Sequence, residues 1–256
     1  DSYTTWNESK AGINILFPYL FDSNYLTGSH IFTLGLGIIN ATENEQVLLE
    51  SLNDEELSIS KVGFSSSVLK APTRQEILPP WSYDLNLNYT NINSNKRDET
   101  QYLVQYKLGL TIPSLVENHG ISLRFDGEIR PNNETLYQLQ TKYVPNVGYT
   151  LSRGYAYEFT SRFDKVTLEY VMPVSYPNIA MGDWVYINRV YAQFFLDSTI
   201  ITNDDLNKKT LNSQGIEIYF NSHMLRKFPL TYTLQFLHMP HINQNQIGFF
   251  LSSNVF

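Results

Sequence analysis

Polar and apolar residues alternate along this chain in segment after segment. In Ile121–Ile129, Ser122, Arg124, Asp126 and Glu128 interleave with Ile121, Leu123, Phe125, Gly127 and Ile129. An extended backbone sends successive side chains to opposite faces, so such a segment is a ribbon with one apolar and one ionic side. Ser82–Tyr89 sets Tyr83, Leu85, Leu87 and Tyr89 against Asp84, Asn86 and Asn88. Gln101–Pro113 sets Tyr102, Val104, Tyr106, Leu108, Leu110 and Ile112 against Gln105 and Lys107, and Lys165–Val174 sets Val166, Leu168, Tyr170, Met172 and Val174 against Lys165, Thr167 and Glu169. A sheet in water shows such a pattern once or twice. Its recurrence in segments of about ten residues, with Tyr and Phe near the ends, points to hydrocarbon as the medium around the apolar rows. A Lys or Arg facing lipid at mid-depth costs about 2–4 kcal/mol, and Lys107, Arg124, Lys165 and Arg189 all take the opposite parity.

Turn chemistry bounds eleven predicted strands: Ile13–Asp22, His30–Asn40, Lys61–Lys70, Ser82–Asn91, Gln101–Pro113, Gly120–Arg130, Lys165–Ser175, Trp184–Ile201, Gln214–His223, Leu230–Pro240 and Gln246–Phe256. The last of these alternates poorly and is assigned by position. The predicted fold is all-β, an antiparallel transmembrane β-barrel with eleven or twelve strands in this chain. Short connections (23–29, 71–81, 114–119, 176–183, 224–229) alternate with longer polar ones (41–60, 92–100, 131–164, 202–213), as short periplasmic turns alternate with long outside loops in membrane barrels. That parity puts Phe256 on the periplasmic side and makes Asp1–Ala11 an exterior loop. An odd strand count calls for a further strand upstream. Residues 1–256 are therefore expected to be one barrel domain, the C-terminal portion of a longer protein. Glu45–Leu57 is expected to be a short surface helix in the first long loop, its Asp54, Glu55 and Glu56 forming a solvated face.

Composition narrows the field further. The chain carries a formal charge of −7 and shows no basic stripe, which argues against nucleic-acid partners. It has no cysteine, so neither a disulfide framework nor a thiolate metal site is possible. Aromatic content is high, with 18 Tyr and 15 Phe, and no apolar run is long enough for a membrane helix. A barrel escapes that test because only alternate residues face lipid.

The longest loop contains Leu151-Ser152-Arg153-Gly154-Tyr155. Leu168-Glu169-Tyr170-Val171-Met172-Pro173 follows, then Phe195-Leu196-Asp197 one strand later, and the chain ends in Phe256. In this ordered set, across roughly residues 101–256, the chain resembles the superfamily of outer-membrane protein insertases and two-partner secretion barrels, the bacterial surface antigens. Residues 176–190 are similar to a narrower branch, in which a Tol-type periplasmic β-propeller precedes the barrel. The resemblance implies an Arg-Gly-Tyr tip (Arg153, Gly154, Tyr155) on a long exterior loop, an E-x-x-x-P strand (Glu169), an F-x-D strand (Phe195, Asp197) and a C-terminal aromatic (Phe256) read during barrel insertion. It also implies that Arg153, Gly154, Glu169 and Asp197 lock the loop inside the barrel.

Parity alone supports the lock. Glu169 and Asp197 point inward on neighbouring strands, and a loop as long as 131–164 can fold back to deliver Arg153 between them. A guanidinium fork can bind two carboxylates, and Gly154 permits the tight turn. The plainer alternative is a solvated Arg153 with two acids lining a wet pore. Elsewhere, His238 and His241 flank Met239-Pro240 without a third ligand, so no metal is expected. No cofactor fingerprint or nucleophile elbow occurs, and no Ser/His/acid set converges, so no enzyme is expected. Four N-x-[ST] sequons (Asn7, Asn40, Asn88, Asn133) are read as chance.

The expected role is assembly or translocation of outer-membrane components in a gram-negative envelope, with outer-membrane lipid and envelope or client proteins as partners. The alternatives are a structural barrel anchoring a larger complex, a lipid or polysaccharide transporter, and a secreted soluble β-sandwich. The weak alternation of residues 246–256 suits a closing strand that pairs loosely at a seam.

Overall fold

The computed structural model describes residues 6–23, 25–43, 55–73, 75–94, 101–130, 151–155, 161–182, 184–202, 208–225 and 227–253. In these, twelve strands form one antiparallel sheet: β1 (Trp6–Asp22), β2 (Thr27–Glu43), β3 (Glu55–Leu69), β4 (Ser82–Ser94), β5 (Gln101–Pro113), β6 (Gly120–Ile129), β7 (Arg162–Ser175), β8 (Ile179–Met181), β9 (Val185–Thr202), β10 (Lys208–Met224), β11 (Phe228–Met239) and β12 (Gln244–Ser253). Each pairs with its sequence neighbour, except that β7 pairs with β9 and the three-residue β8 lies beside β9. One continuous up-and-down sheet rules out the two packed sheets of a sandwich. Every long strand has at least the 10 residues of β6 and β12, which is what a tilted strand needs to cross a bilayer. Among the described residues no ladder joins β1 to β12.

Register turns the sequence alternation into continuous rows. Ile13, Leu36, Val62, Leu87, Tyr89, Leu110, Phe125, Leu168, Phe194 and Phe236 are all exposed large apolar residues. On the other face Glu128, Lys165, Thr167, Glu169, Asp197, Thr199, Ser213, Glu217 and Thr233 are buried. This is the inverse of a water-soluble protein, with apolar residues outside and charge within. It is the arrangement of a transmembrane β-barrel, whose wall meets lipid and whose lumen is polar. The outer wall tolerates one close fit of note: a Cβ on Gly127 would strike the ring of Tyr106. The bare glycine lets that phenol cross β6 and donate to Asp164 on β7.

Several expectations need correction. Residues 6–11 belong to β1 rather than to an exterior loop, paired through Trp6↔Glu43 and Ala11↔Ile38. Glu55–Leu57, the tail of the expected helix, opens β3; residues 45–54 lie outside the described residues. The expected long loop 202–213 shrinks, because β9 runs to Thr202 and β10 starts at Lys208. The final strand alternates after all. Ile247, Phe249 and Leu251 pair with the outward Phe236, Leu234 and Tyr232. The sequence hid this because Phe250 occupies an inward position otherwise held by polar or small residues. Two irregularities, at Pro173/Ser175 and at Asn221/Ser222, shift the register at the short-turn end of the sheet.

Candidate functional site

The polar face of β7, β9, β10 and β11 carries a compact site built around residues 151–155. Glu169 on β7, Phe195 and Asp197 on β9, Gly215 and Glu217 on β10 and Leu237 on β11 all have inward parity. The ladders place them close together: Glu169 faces Phe195, Phe195 faces Gly215 and Gly215 faces Leu237. Against this wall the 151–155 segment makes a tight turn, closed by the Tyr155 amide donating to the Ser152 carbonyl at 3.2 Å. Gly154 takes φ +85°, in the left-handed region where a side chain is strained. A Cβ there would also press into Leu237 and come within 2.7 Å of the Met239 sulfur. Glycine is required on both counts.

Backbone and hydroxyl contacts seat the segment. The Ser152 amide donates to Thr199 Oγ1 at 3.0 Å, its hydroxyl lies 2.7 Å from the same oxygen, and that hydroxyl donates to the Leu211 carbonyl at 2.8 Å. Lys165 Nζ donates to the Leu151 carbonyl at 3.1 Å, and Tyr155 Oη to the Asn212 carbonyl at 3.0 Å. Leu151 is buried with Phe163, Ile201 and Leu211, while Tyr155 packs against this group and against Phe195, Leu237 and Met239. These contacts hold the turn before the Arg153 side chain is counted.

Arg153 is the centre of the charge. Its Nη2 donates to Glu169, and its Nε stands 3.7 Å from both Asp197 Oδ2 and Glu217 Oε1. Its own amide donates to Asp197 Oδ2 at 3.1 Å. The guanidinium carbon lies 4.0 Å from the centroid of the Phe195 ring, within cation–π range. Burial alone would push the Arg153 guanidinium down, but Asp197, Glu217 and Glu169 together hold it above the usual arginine range. Three carboxylates around one cation leave local negative charge, and neighbours share it. Arg124 Nη2 donates to the same Glu169 oxygen at 2.5 Å, Ser213 donates to Asp197 at 3.4 Å, and Gln235 and Tyr219 both donate to Glu217. Tyr219 in turn stacks on Tyr191, with centroids 4.5 Å apart.

The expected site residues Arg153, Gly154, Tyr155, Glu169, Phe195 and Asp197 all converge here, and the Arg153 side chain is engaged by the acids rather than left as a solvated loop residue. Phe256 lies outside the described residues. Sequence reading missed three participants. Glu217 shares the inward parity of Asp197 on the next strand, which was a usable signal. Gly215 was not recognisable alone. A Cβ there would lie 2.7 Å from the Phe195 ring and collide with the Phe236 carbonyl oxygen, so its absence makes room for the ring on which Arg153 rests. Ser152 was quoted in the 151–155 stretch but given no role of its own. His238, considered as a metal ligand, has Nδ1 2.8 Å from Asn245 Oδ1.

Fold and site together define a membrane β-barrel with a short loop segment pinned to its inner wall. No family model matches the chain, and no curated protein does. Among solved structures it is similar to the β domain of the Bordetella autotransporter BrkA. That alignment has 9% sequence identity, covers 97% of this chain and 90% of the other, and has a TM-score of 0.40.

Proposed function

We propose that this chain is an outer-membrane β-barrel of a gram-negative envelope, working without enzymatic chemistry in the assembly or translocation of outer-membrane components. The observation that carries the reading is the Arg153 lock. A barrel that only filled the membrane would not need a loop tip held by three carboxylates from three adjacent strands. The lock reproduces the residue pairing that the resemblance to insertase and two-partner secretion barrels implies, with Glu217 added. Envelope lipids surround the barrel, and envelope or client proteins are its partners. In this reading the 151–155 segment narrows the lumen beside a charged inner wall.

Depletion of the protein, followed by quantification of other barrels in the outer membrane, tests the role. The reading expects a broad fall in folded barrels or in one exported class, restored by the wild-type chain and poorly restored by Arg153→Ala. Unchanged levels of every other barrel and exported product would overturn it and leave a structural anchor.

A further inference from the structure

On the outer wall, immediately behind the lock, a hollow of about 750 Å³ opens across β7, β9, β10 and β11, with the first residues of β12 at its margin. That volume falls in the range of small-molecule sites. Its walls are outward apolar residues: Phe194, Leu196, Ile216, Phe236 and Ile247. Its floor reaches Gly215 and Phe195, the same ring that carries the Arg153 guanidinium on its lumen side. One aromatic ring therefore separates the hollow from the lock.

Register gives the hollow a polarity. Phe194, Ile216, Phe236 and Ile247 stand side by side on four successive strands. Two residues along, towards the turn between β11 and β12, the matching row reads Leu196, Gln214, His238 and Asn245. The wall changes from apolar to hydrogen-bonding within one step, and all three polar residues line the hollow. His238 Nδ1 donates to Asn245 Oδ1, which leaves the side-chain amide N–H groups of Gln214 and Asn245 to donate to phosphate or ester oxygens. At this same end the rim steps down. β10 continues as Lys208–Ser213 beyond the last residue paired to β11, since Gln214↔His238 is followed only by Met239.

We propose that the hollow is a specific site for one acyl-chained membrane amphiphile: a phospholipid whose chain lies along Ile216, Phe236 and Ile247 and whose head oxygens accept from the amides of Gln214 and Asn245, the latter held by His238. The occupant follows from the surroundings, because the hollow belongs to the outer wall of exposed apolar residues and its polar margin supplies amide donors to a head group. This inference rests on the membrane reading of the barrel and goes beyond the lock.

The test is native mass spectrometry of the full chain released from nanodiscs of phosphatidylethanolamine and phosphatidylglycerol. Wild type is expected to retain one phospholipid. Ile216→Trp, which fills the hollow from the lipid side, abolishes retention. The double variant Gln214→Ala/Asn245→Ala weakens it about tenfold, as the loss of two modest hydrogen bonds predicts. Leu87→Trp, on the outer face of β4, retains it. Equal retention by wild type and Ile216→Trp, or no retention by a wild-type chain that still inserts into vesicles and shifts on heating, overturns the site while leaving the barrel intact. Failure of wild type to insert into vesicles would instead overturn the membrane reading itself.

Discussion

Replacing Arg153 by alanine removes a cation that reaches three carboxylates at once. The magnitude can be worked from the site. The side chains of Asp197, Glu169 and Glu217 are 0%, 8% and 8% exposed, and that of Arg153 is 21% exposed. Stranding a buried charge by deleting its partner costs about 3–5 kcal/mol. Two features pull the value towards the lower end. Glu169 keeps Arg124 at 2.5 Å, and the 3.7 Å separations to Asp197 and Glu217 are ion-pair contacts rather than hydrogen bonds. Loss of the contact with Phe195 adds about 0.5–2 kcal/mol. The expected destabilisation is therefore about 4 kcal/mol, read from urea unfolding of the folded barrel in lipid vesicles. Arg153→Lys should recover less than half, since an ammonium lacks the planar fork. A cycle with Glu169→Gln separates the pair from the rest, and a coupling of about 1.5 kcal/mol or more is expected. An Arg153→Ala barrel that unfolds within 0.5 kcal/mol of wild type, with coupling near zero, would refute the claim that the charges hold the loop.

Gly154→Ala should destabilise by about 2 kcal/mol or more through positive φ and overlap with Leu237, checked by the same unfolding midpoint. Gly215→Ala should do at least as much, because the added carbon meets the fixed Phe236 carbonyl as well as the Phe195 ring; the heat-modifiable gel band reports it. Ser152→Ala removes the hydroxyl shared by Thr199 and Leu211 and should cost about 1 kcal/mol, with faster proteolysis of the loop as the second readout. Leu87→Arg, on the outer wall, should cost about 2–4 kcal/mol in bilayers while Asn86→Arg in the lumen costs under about 1 kcal/mol; equal costs would contradict lipid on the Leu87 side.

The strands were legible because two solvents act on them. Lipid outside and a polar lumen inside force a period of two over the whole length, and Gln101–Pro113 emerged with the same ends in sequence and structure. Legibility failed where a strand rises beyond the apolar band, since nothing there demands alternation. Ser9–Gly12 and Lys208–Ser213 are continuous with β1 and β10, yet their sequence mixes both parities. Arg153, Glu169 and Asp197 were found by motif and parity together. Glu217 escaped because no motif marked it, although its parity was correct. Gly215 escaped for a deeper reason. Its importance lies in space it leaves for Phe195 and for the Phe236 carbonyl, and an empty volume leaves no trace in a string of letters.

The arrangement of the three acids has a mechanical side. Glu169, Asp197 and Glu217 sit on β7, β9 and β10, which lie next to one another in the sheet. A tug on the loop tip is therefore shared among three strands at once and cannot be relieved by peeling any one of them. Traction applied to the loop should meet a single stiff yield point, with Arg153 giving way before the sheet deforms.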